Sequence, residues 1–424
     1  MVLSGKKRPL LLIPVIIILF TLWVHYTRIT SSVRIGVSLN LSETADPAEL
    51  HMEQGIELAA DILNEKGGIN GRRLEIMTLD NKGNEKGSEI AAENAALRHA
   101  SALIGPLDSK LLSPTAIVGE NRDLPIITPA YVDTDMWTDT CTGIPYNYVF
   151  TASLTSAEEG RAMAAFASQK LHKSRILVIY AGDSPRSTAA AEAFSATDNM
   201  ETFSMDMHQH GTADLCKYLL TASYDAIYMP LTGRQAASFI TFLRQAGRSP
   251  VVLGSSLWSY DGLEQYLPPT YLQSLFYTEA YGNDPTYEAG EEFAERYYAK
   301  YGISADSYAS SGFDAVMLIA EAVKLSGSTA PENVHKALSS ISDYAGAAGP
   351  TTVQGRHITH PAFIFTFWQG SPALLDTQLA FKKKQDPQIR SILFKCLSPP
   401  TPLGHHSTQI RVKSYRVIGL QKVT

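Results

Sequence analysis

The sequence predicts an α/β protein of two lobes, each built on a parallel central sheet, and three observations lead there. Short apolar runs alternate with amphipathic stretches between Val33 and Ala130, the order of a sheet whose strands are joined by helical crossovers. The alternation restarts after Phe150 and runs to Gly254, and three further helical patterns follow Gly282. A chain of 424 residues that is 45% hydrophobic and 18% charged is folded, and it is too long for one ordinary core.

Val33-Arg-Ile-Gly-Val-Ser-Leu39 has the continuous apolar character of a strand buried on both faces. Across 53–64, Ile56, Ala59, Ala60 and Leu63 share one helical face, and Gly67-Gly68 stops that helix. The next strand is 73–80, a second helix covers about 87–99, and Ala102-Leu-Ile-Gly105 is a third strand. Right-handed crossovers make these parallel neighbours. The second series reads as a helix over 156–171, a strand over 175–180 and a helix over 188–194. A strand over 226–230, a helix over 234–246 and a strand over 250–254 complete it. Helices over 288–301, 308–325 and 331–341 then supply what the first lobe still lacks, so the chain crosses between lobes more than once.

A net charge of −6 argues against nucleic acid as a partner, which needs a concentrated basic surface. The charge is unevenly placed: residues 379–424 carry nine Lys or Arg against one Asp. In that tail, 409–418 alternates enough for an edge strand, while Pro399-Pro-Thr-Pro402 marks a loop. Cys141, Cys216 and Cys396 form neither a metal-ligand spacing nor a CxxC pair, and spacing cannot choose a disulfide among them. At the other end, Lys6-Lys-Arg8 precedes an apolar run from Leu10 to Val24. The run falls short of the roughly 20 residues that span a bilayer, as in a signal sequence; no small-x-small cleavage site follows, as in an uncleaved anchor. Either way the basic flank stays inside and the remainder is exported.

Several segments resemble the periplasmic Leu/Ile/Val (branched-chain amino-acid) solute-binding proteins of ABC transporters, which have the type I periplasmic binding protein fold. The matching residues are Ile35-Gly-Val, Gly55-Ile-Glu-Leu-Ala, Lys66-Gly-Gly-Ile-Asn-Gly-Arg72, Ile104-Gly-Pro and Leu124-Pro-Ile-Ile-Thr-Pro-Ala130. The match continues through Tyr148-Val-Phe150, Ile176-Leu-Val-Ile-Tyr180, Phe293 to Tyr301 and Tyr308 to Ala315, and covers about 33–370. It implies two Rossmann-like lobes joined by a three-strand hinge, with the hinge at 150–152, 277–281 and 343–349. The divisions are then 1–32, a signal sequence or anchor; 33–150 with 282–342, the first lobe; 151–281 with 343–378, the second lobe; and 379–424, a basic tail. Ala362 to Trp368 is similar to the family's last strand, and Gln369-Gly370 to its closing turn.

Ligands of such folds lie at the carboxyl ends of parallel strands. Ser109 matches the residue whose hydroxyl and backbone hold the amino-acid carboxylate in the resembled family, and a helix N-terminus suits an anion. The plainer role for Asp108 or Ser109 is capping the following helix. Ala130 keeps the family's type in the loop that contacts carboxylate and ammonium. Tyr131 and Val132 depart from it, and Tyr131 either packs on a ligand or covers an edge. In the second lobe the family's ligand-stacking Tyr is replaced by Ser187, and its ammonium-binding acid by Ser256. Because a buried ammonium without a carboxylate is costly, these replacements speak against a free branched-chain amino acid. Trp258 and Tyr260 are candidates for an aromatic wall and Arg186 for attracting an acid group; the alternative for each is a packing or surface role.

No catalytic constellation is present: there is no G-x-S-x-G and no H-E-x-x-H, and Gly67 to Gly71 stops a helix and is not a phosphate loop. No cofactor or metal site is expected. The resemblance implies an extracytoplasmic protein, free in the periplasm or anchored to the inner membrane. It would close two lobes on a small polar, amino-acid-like ligand and deliver it to an ABC permease. The alternative is an anchored sensory or regulatory ectodomain that signals to an envelope partner.

Overall fold

The computed structural model describes residues 32–42, 45–129, 138, 142–198, 200–284 and 287–378. The N-terminal apolar run, Cys141, Cys396 and the basic tail therefore lie outside the described residues, and no helix among those described is long and apolar enough to cross a membrane.

The first lobe begins with β1 (Val33–Leu39), α1 (Pro47–Glu65), β2 (Leu74–Asp80) and α2 (Glu85–Leu97). It continues through β3 (Ala102–Ile104), α3 (Leu112–Arg122), β4 (Ile126–Thr128) and β5 (Val149–Thr151). The helix α1 starts six residues before the expected 53, because Asp46 caps it through a bond from the Ala48 N–H (2.9 Å) and Pro47 takes the first turn. The chain then builds the second lobe from α4 (Ser156–Ala165), β6 (Arg175–Tyr180), α5 (Pro185–Ser195), β7 (Glu201–Asp206), α6 (Thr212–Thr221), β8 (Ala226–Met229) and α7 (Gly233–Gln245). That series ends with β9 (Val251–Gly254), α8 (Leu257–Tyr260) and β10 (Leu275–Glu279). The helix expected over 156–171 keeps its path but widens into a π turn at Phe166–Lys170. After β10 the chain returns to the first lobe with α9 (Glu288–Tyr301), α10 (Ser307–Ser326) and α11 (Pro331–Leu338).

Five strands of each lobe are parallel and ordered β2-β1-β3-β4-β5 and β7-β6-β8-β9-β10. Each series reverses direction beside its first strand, so a crevice opens between β1 and β3 in one lobe and between β6 and β8 in the other. The expected division at 342/343 needs correction. The strands β11 (Tyr344–Gly346), β12 (Gly349–Gln354) and β13 (His357–Thr359) extend the first sheet, with His357 paired in parallel to Thr151. Only β14 (Ala362–Trp368) and β15 (Ser371–Gln378) join the second. The third crossing is therefore 360–361, not 343–349, whose glycines turn a hairpin between β11 and β12. The other two crossings lie at 152–155 and 280–287, close to their expected places. Gln369 and Gly370 both have positive φ (52° and 87°) and make the tight turn between β14 and β15.

The first lobe is clamped by α1 against α10. A Cβ at Gly55 would sit 1.9 Å from the Ala309 carbonyl oxygen, and one at Gly312 would sit 2.5 Å from that of Met52. Backbone-to-backbone approach this close admits only hydrogen at the crossing, and it fixes where the N-termini of both helices stand.

Candidate functional site

On the first lobe, the crevice between β1 and β3 is bordered by Asp46 at the start of α1 and by Leu107-Asp108-Ser109 after β3. Asp108 makes the cap, accepting from the Lys110 N–H at 3.0 Å. Ser109 is half-buried, and its hydroxyl has no hydrogen-bond partner among the described residues, so the capping role belongs to Asp108 and Ser109 is spared for another. Thr128 donates to the Pro106 carbonyl at 2.8 Å and ties the ends of β3 and β4 together. Ala130 and Tyr131 lie outside the described residues.

On the second lobe, Arg186 stands in the first turn of α5 and its guanidinium donates to the Ser256 hydroxyl at 3.3 Å. Ser256 in turn gives both its backbone N–H and its hydroxyl to the buried Glu159 carboxylate, each at 2.8 Å, and Thr278 donates to the same carboxylate at 2.7 Å. The position where the resemblance loses an acid therefore rests directly on one. Beside it, Glu279 at the end of β10 accepts from the Ser259 hydroxyl. Burial, and after it the neighbouring Glu159, push the Glu279 carboxyl well above the usual carboxylate range; the Ala280 N–H and Arg186 oppose this, and Asp306 adds to it.

The remaining second-lobe expectations divide. Ser187 is 1% exposed and spends its hydroxyl on the Ala181 N–H (2.9 Å), bracing the turn between β6 and α5; it does not reach into the cleft. Trp258 is fully buried, its indole N–H donates to the Met229 carbonyl at 3.2 Å, and its ring lies where a Cβ on Gly254 would be. It is core, not a ligand wall. Tyr260 is 62% exposed and its hydroxyl reaches across to Asp46 of the first lobe at 3.3 Å. The proximity of Asp46, and then burial, raise the Tyr260 phenol above its usual range.

Several acidic and aromatic residues escaped the sequence reading. Asp306 caps α10 and holds the His51 imidazole at 2.6 Å, which raises the His51 pKa. Tyr308, in the first turn of α10, is raised mainly by burial, and it feels Tyr260, Arg186, Asp46 and Glu279 from both lobes. Glu49 is pushed up to about 7 by burial, with Asp46, Asp108 and Glu53 adding to the shift and the Asn40 N–H opposing it. Asp46 and Asp306 follow the usual helix-cap pattern, which conceals a second role; Glu279 sits in a strand that sequence pattern assigned to a crossing. The cleft thus gathers Asp46, Glu49, Asp108, Asp306, Glu159 and Glu279 against Arg186 and His51. Such a field favours a ligand group that is positive.

The family model for periplasmic binding proteins matches residues 32–371. The chain belongs to the periplasmic binding protein family. Within it, the chain is 22% identical over 311 residues to the Leu/Ile/Val-binding protein homolog 3 of Brucella melitensis, spanning 70% of this chain and 80% of that one. Among solved structures, the putative branched-chain amino acid ABC transporter of Rhodospirillum rubrum superposes with a TM-score of 0.69 at 19% identity, covering 81% of this chain and all (100%) of that one. The ABC transporter substrate-binding protein of Desulfitobacterium hafniense in complex with Leu gives 0.67 at 22% identity, with 81% and 100% covered. These likenesses bear out the resemblance to the Leu/Ile/Val-binding proteins and the two-lobed fold. A periplasmic binding protein is a solute-binding, extracytoplasmic component, and in this chain Tyr260 of the second lobe meets Asp46 of the first across the crossings described above.

Proposed function

We propose that this periplasmic binding protein captures an amino-acid-like zwitterion for ABC-type import, with the ligand's ammonium held by Glu279. The observation that carries the reading is the acidic group at the end of β10: a carboxylate penalised by burial and by Glu159, close enough to Asp306 and Tyr308 of the first lobe for its charge to interact with theirs. An arriving ammonium relieves that penalty, so Glu279 ionises on binding and pairs with it. The objection raised by Ser256 is thereby removed, since the missing carboxylate is supplied from the adjacent strand. Ser109, with its hydroxyl outside the cap, and Arg186 are the groups suited to the ligand's carboxylate. The relative bound to Leu supports an aliphatic amino acid as the first compound to try. The role is binding without catalysis; a permease receives the ligand, and the N-terminal apolar run directs export.

Closure supplies the mechanism. A ligand touching both lobes has its full set of contacts only when they meet, so binding shifts the population toward the closed form. The test is thermal stabilisation by leucine, isoleucine and valine, set beside 4-methylpentanoate, which keeps leucine's carboxylate and chain but lacks the amine. The amino acids are expected to raise Tm and the deaminated acid to leave it unchanged. Glu279→Gln is expected to weaken amino-acid binding by at least about 100-fold, as loss of one partner of a buried ion pair does. Equal stabilisation by the deaminated acid, or unaltered binding to the Gln variant, sinks the assignment.

A further inference from the structure

We propose that Glu158 and His357 form a proton-sensitive strut across the hinge, which favours the closed arrangement of the lobes when His357 carries a proton. The two residues belong to different lobes and lie on either side of the 152–155 crossing. His357 begins β13 and is fixed to the first lobe: it pairs in register with Thr151, its Nδ1 is 3.0 Å from the Thr151 hydroxyl, and the Thr151 N–H donates to the neighbouring Arg356 carbonyl at 2.9 Å. Glu158 is fixed to the second lobe in the first turn of α4, where it accepts from the Thr155 N–H at 2.9 Å and hydroxyl at 2.8 Å in a capping box. His357 Nε2 meets both Glu158 oxygens, at 3.0 and 3.1 Å, with each side chain 22% exposed.

The surroundings suit both protonation states of the imidazole. Next to a carboxylate, Nε2 carries the hydrogen in either state. Nδ1 faces a hydroxyl, which donates to a neutral Nδ1 and, after rotating, accepts from a protonated one. Gaining the proton leaves no bond unmade and places a full positive charge against a carboxylate that is ionised in either state, so a hydrogen bond to an anion becomes an ion pair. Rotation of the second lobe about 152–155 carries Glu158 away with α4 while His357 stays on β13, so the strengthened bond stabilises the arrangement seen here, in which Tyr260 reaches Asp46.

Other charged groups border the pair. Glu158 stays ionised throughout the physiological range: burial works against its charge, but His357 and the Thr155 donors outweigh it and hold the carboxyl at about 2. His360, bonded to the Pro361 carbonyl, is lowered by burial, and it also faces Glu158 and His357. Asp314 lines the same hinge cavity as His360 and is raised by burial to about 6. Arg356 donates to Asn147. His360 and Asp314 are therefore the competing sources of any pH effect, and the experiment separates them from His357.

The strut requires no knowledge of the ligand, so its test stands apart from the Glu279 assignment. Spin labels at Glu85→Cys and Ala213→Cys, on exposed first turns at the cleft-facing rims of the two lobes, report the inter-lobe distance by double electron–electron resonance. The full chain is used without ligand, with Cys141, Cys216 and Cys396 replaced by Ser. The ratio of short to long distances is expected to rise about fivefold from about pH 8 to about pH 5.5, the range in which an imidazole changes charge. His357→Gln and Glu158→Gln are each expected to flatten that response, and the latter preserves the capping box, since Gln serves there too. A wild-type ratio that is constant or falls on acidification overturns the proposal. So does a full response retained in His357→Gln, which assigns the effect to His360 or Asp314.

Discussion

Gly55→Ala should destabilise the protein although it replaces a glycine in the middle of a helix. In isolation the change favours α1 by up to about 1 kcal/mol, because alanine loses less backbone freedom on folding. In this fold the new methyl would lie 1.9 Å from the Ala309 carbonyl oxygen and 2.8 Å from its carbon, where real Cβ atoms stay beyond 3.0 Å. The obstacle is backbone, so no side chain can swing aside; α1 and α10 must part by at least about 1 Å over a face that includes Met52, Ile56 and Phe313. Overpacking of this kind costs about 1–3 kcal/mol, and the loosened face loses dispersion contacts as well, so we expect a net loss of about 2 kcal/mol. Urea denaturation of the purified chain measures it through the midpoint at unchanged slope. Since Asp46 and Asp306 cap the two helices at the cleft, amino-acid binding should weaken in parallel. A variant as stable as the wild type, or more so, would show that helix propensity outweighs the crossing and that the α1–α10 contact is not what sets the cleft's first-lobe rim.

Two further outcomes follow from the second lobe and the hinge. Trp258→Ala should cost about 3–5 kcal/mol, since it empties a fully buried site beside Tyr277, while the affinity of the still-folded fraction for its amino acid stays within a few fold. Calorimetry showing a large selective loss of affinity would return Trp258 to the ligand wall. Asp314 is raised from 3.8 to about 6 by burial, against the pull of the Ala347 and Ala348 N–H groups, so the stability it contributes is present below about pH 4 and is lost as pH rises through about 6. The shift corresponds to about 3 kcal/mol. Asp314→Asn removes this dependence, and the variant's stability relative to the wild type should improve by about that amount between about pH 4 and about pH 8 in urea unfolding. A constant difference across the range would contradict it.

The parallel strands were legible because a strand buried on both faces must be apolar throughout, as Val33–Leu39 and Arg175–Tyr180 nearly are. The edge strand Glu201–Asp206 escaped notice for the converse reason: exposed along much of its first four residues, it carries Glu, Thr and Ser where its neighbours carry aliphatics. The short strands between Tyr344 and Thr359 escaped as well, because three-residue pairings among polar residues have no periodicity to read, and their glycines resemble a hinge as much as a hairpin. In the second lobe, positional resemblance did not reveal the directions of the side chains. Ser187 turns back to its own turn, and Trp258 folds over Gly254 into the core. Nothing in the spacing of Gly254-Ser-Ser-Leu-Trp258 distinguishes a ring that faces a ligand from one that covers a glycine.

With the ammonium assigned to Glu279 as proposed, the serine at 256 does not by itself reassign the ligand. A carboxylate at 256 would point into the same space that Glu159 and Glu279 already border, for Ser256 bonds to Glu159 through both its N–H and its hydroxyl, and Glu279 stands beside it on the next strand. Three carboxylates crowded together with Arg186 as their nearby cation would repel one another strongly at low dielectric. A serine at 256 is the residue compatible with acids at 159 and 279: it donates to one and accepts from Arg186, and so ties the cation to the acidic group. Under the proposed assignment, the charge an amine needs stands at the end of β10 instead of in the loop after β9. Recognition at such a site depends on the summed field of the two lobes, and a single aligned position samples only one part of it.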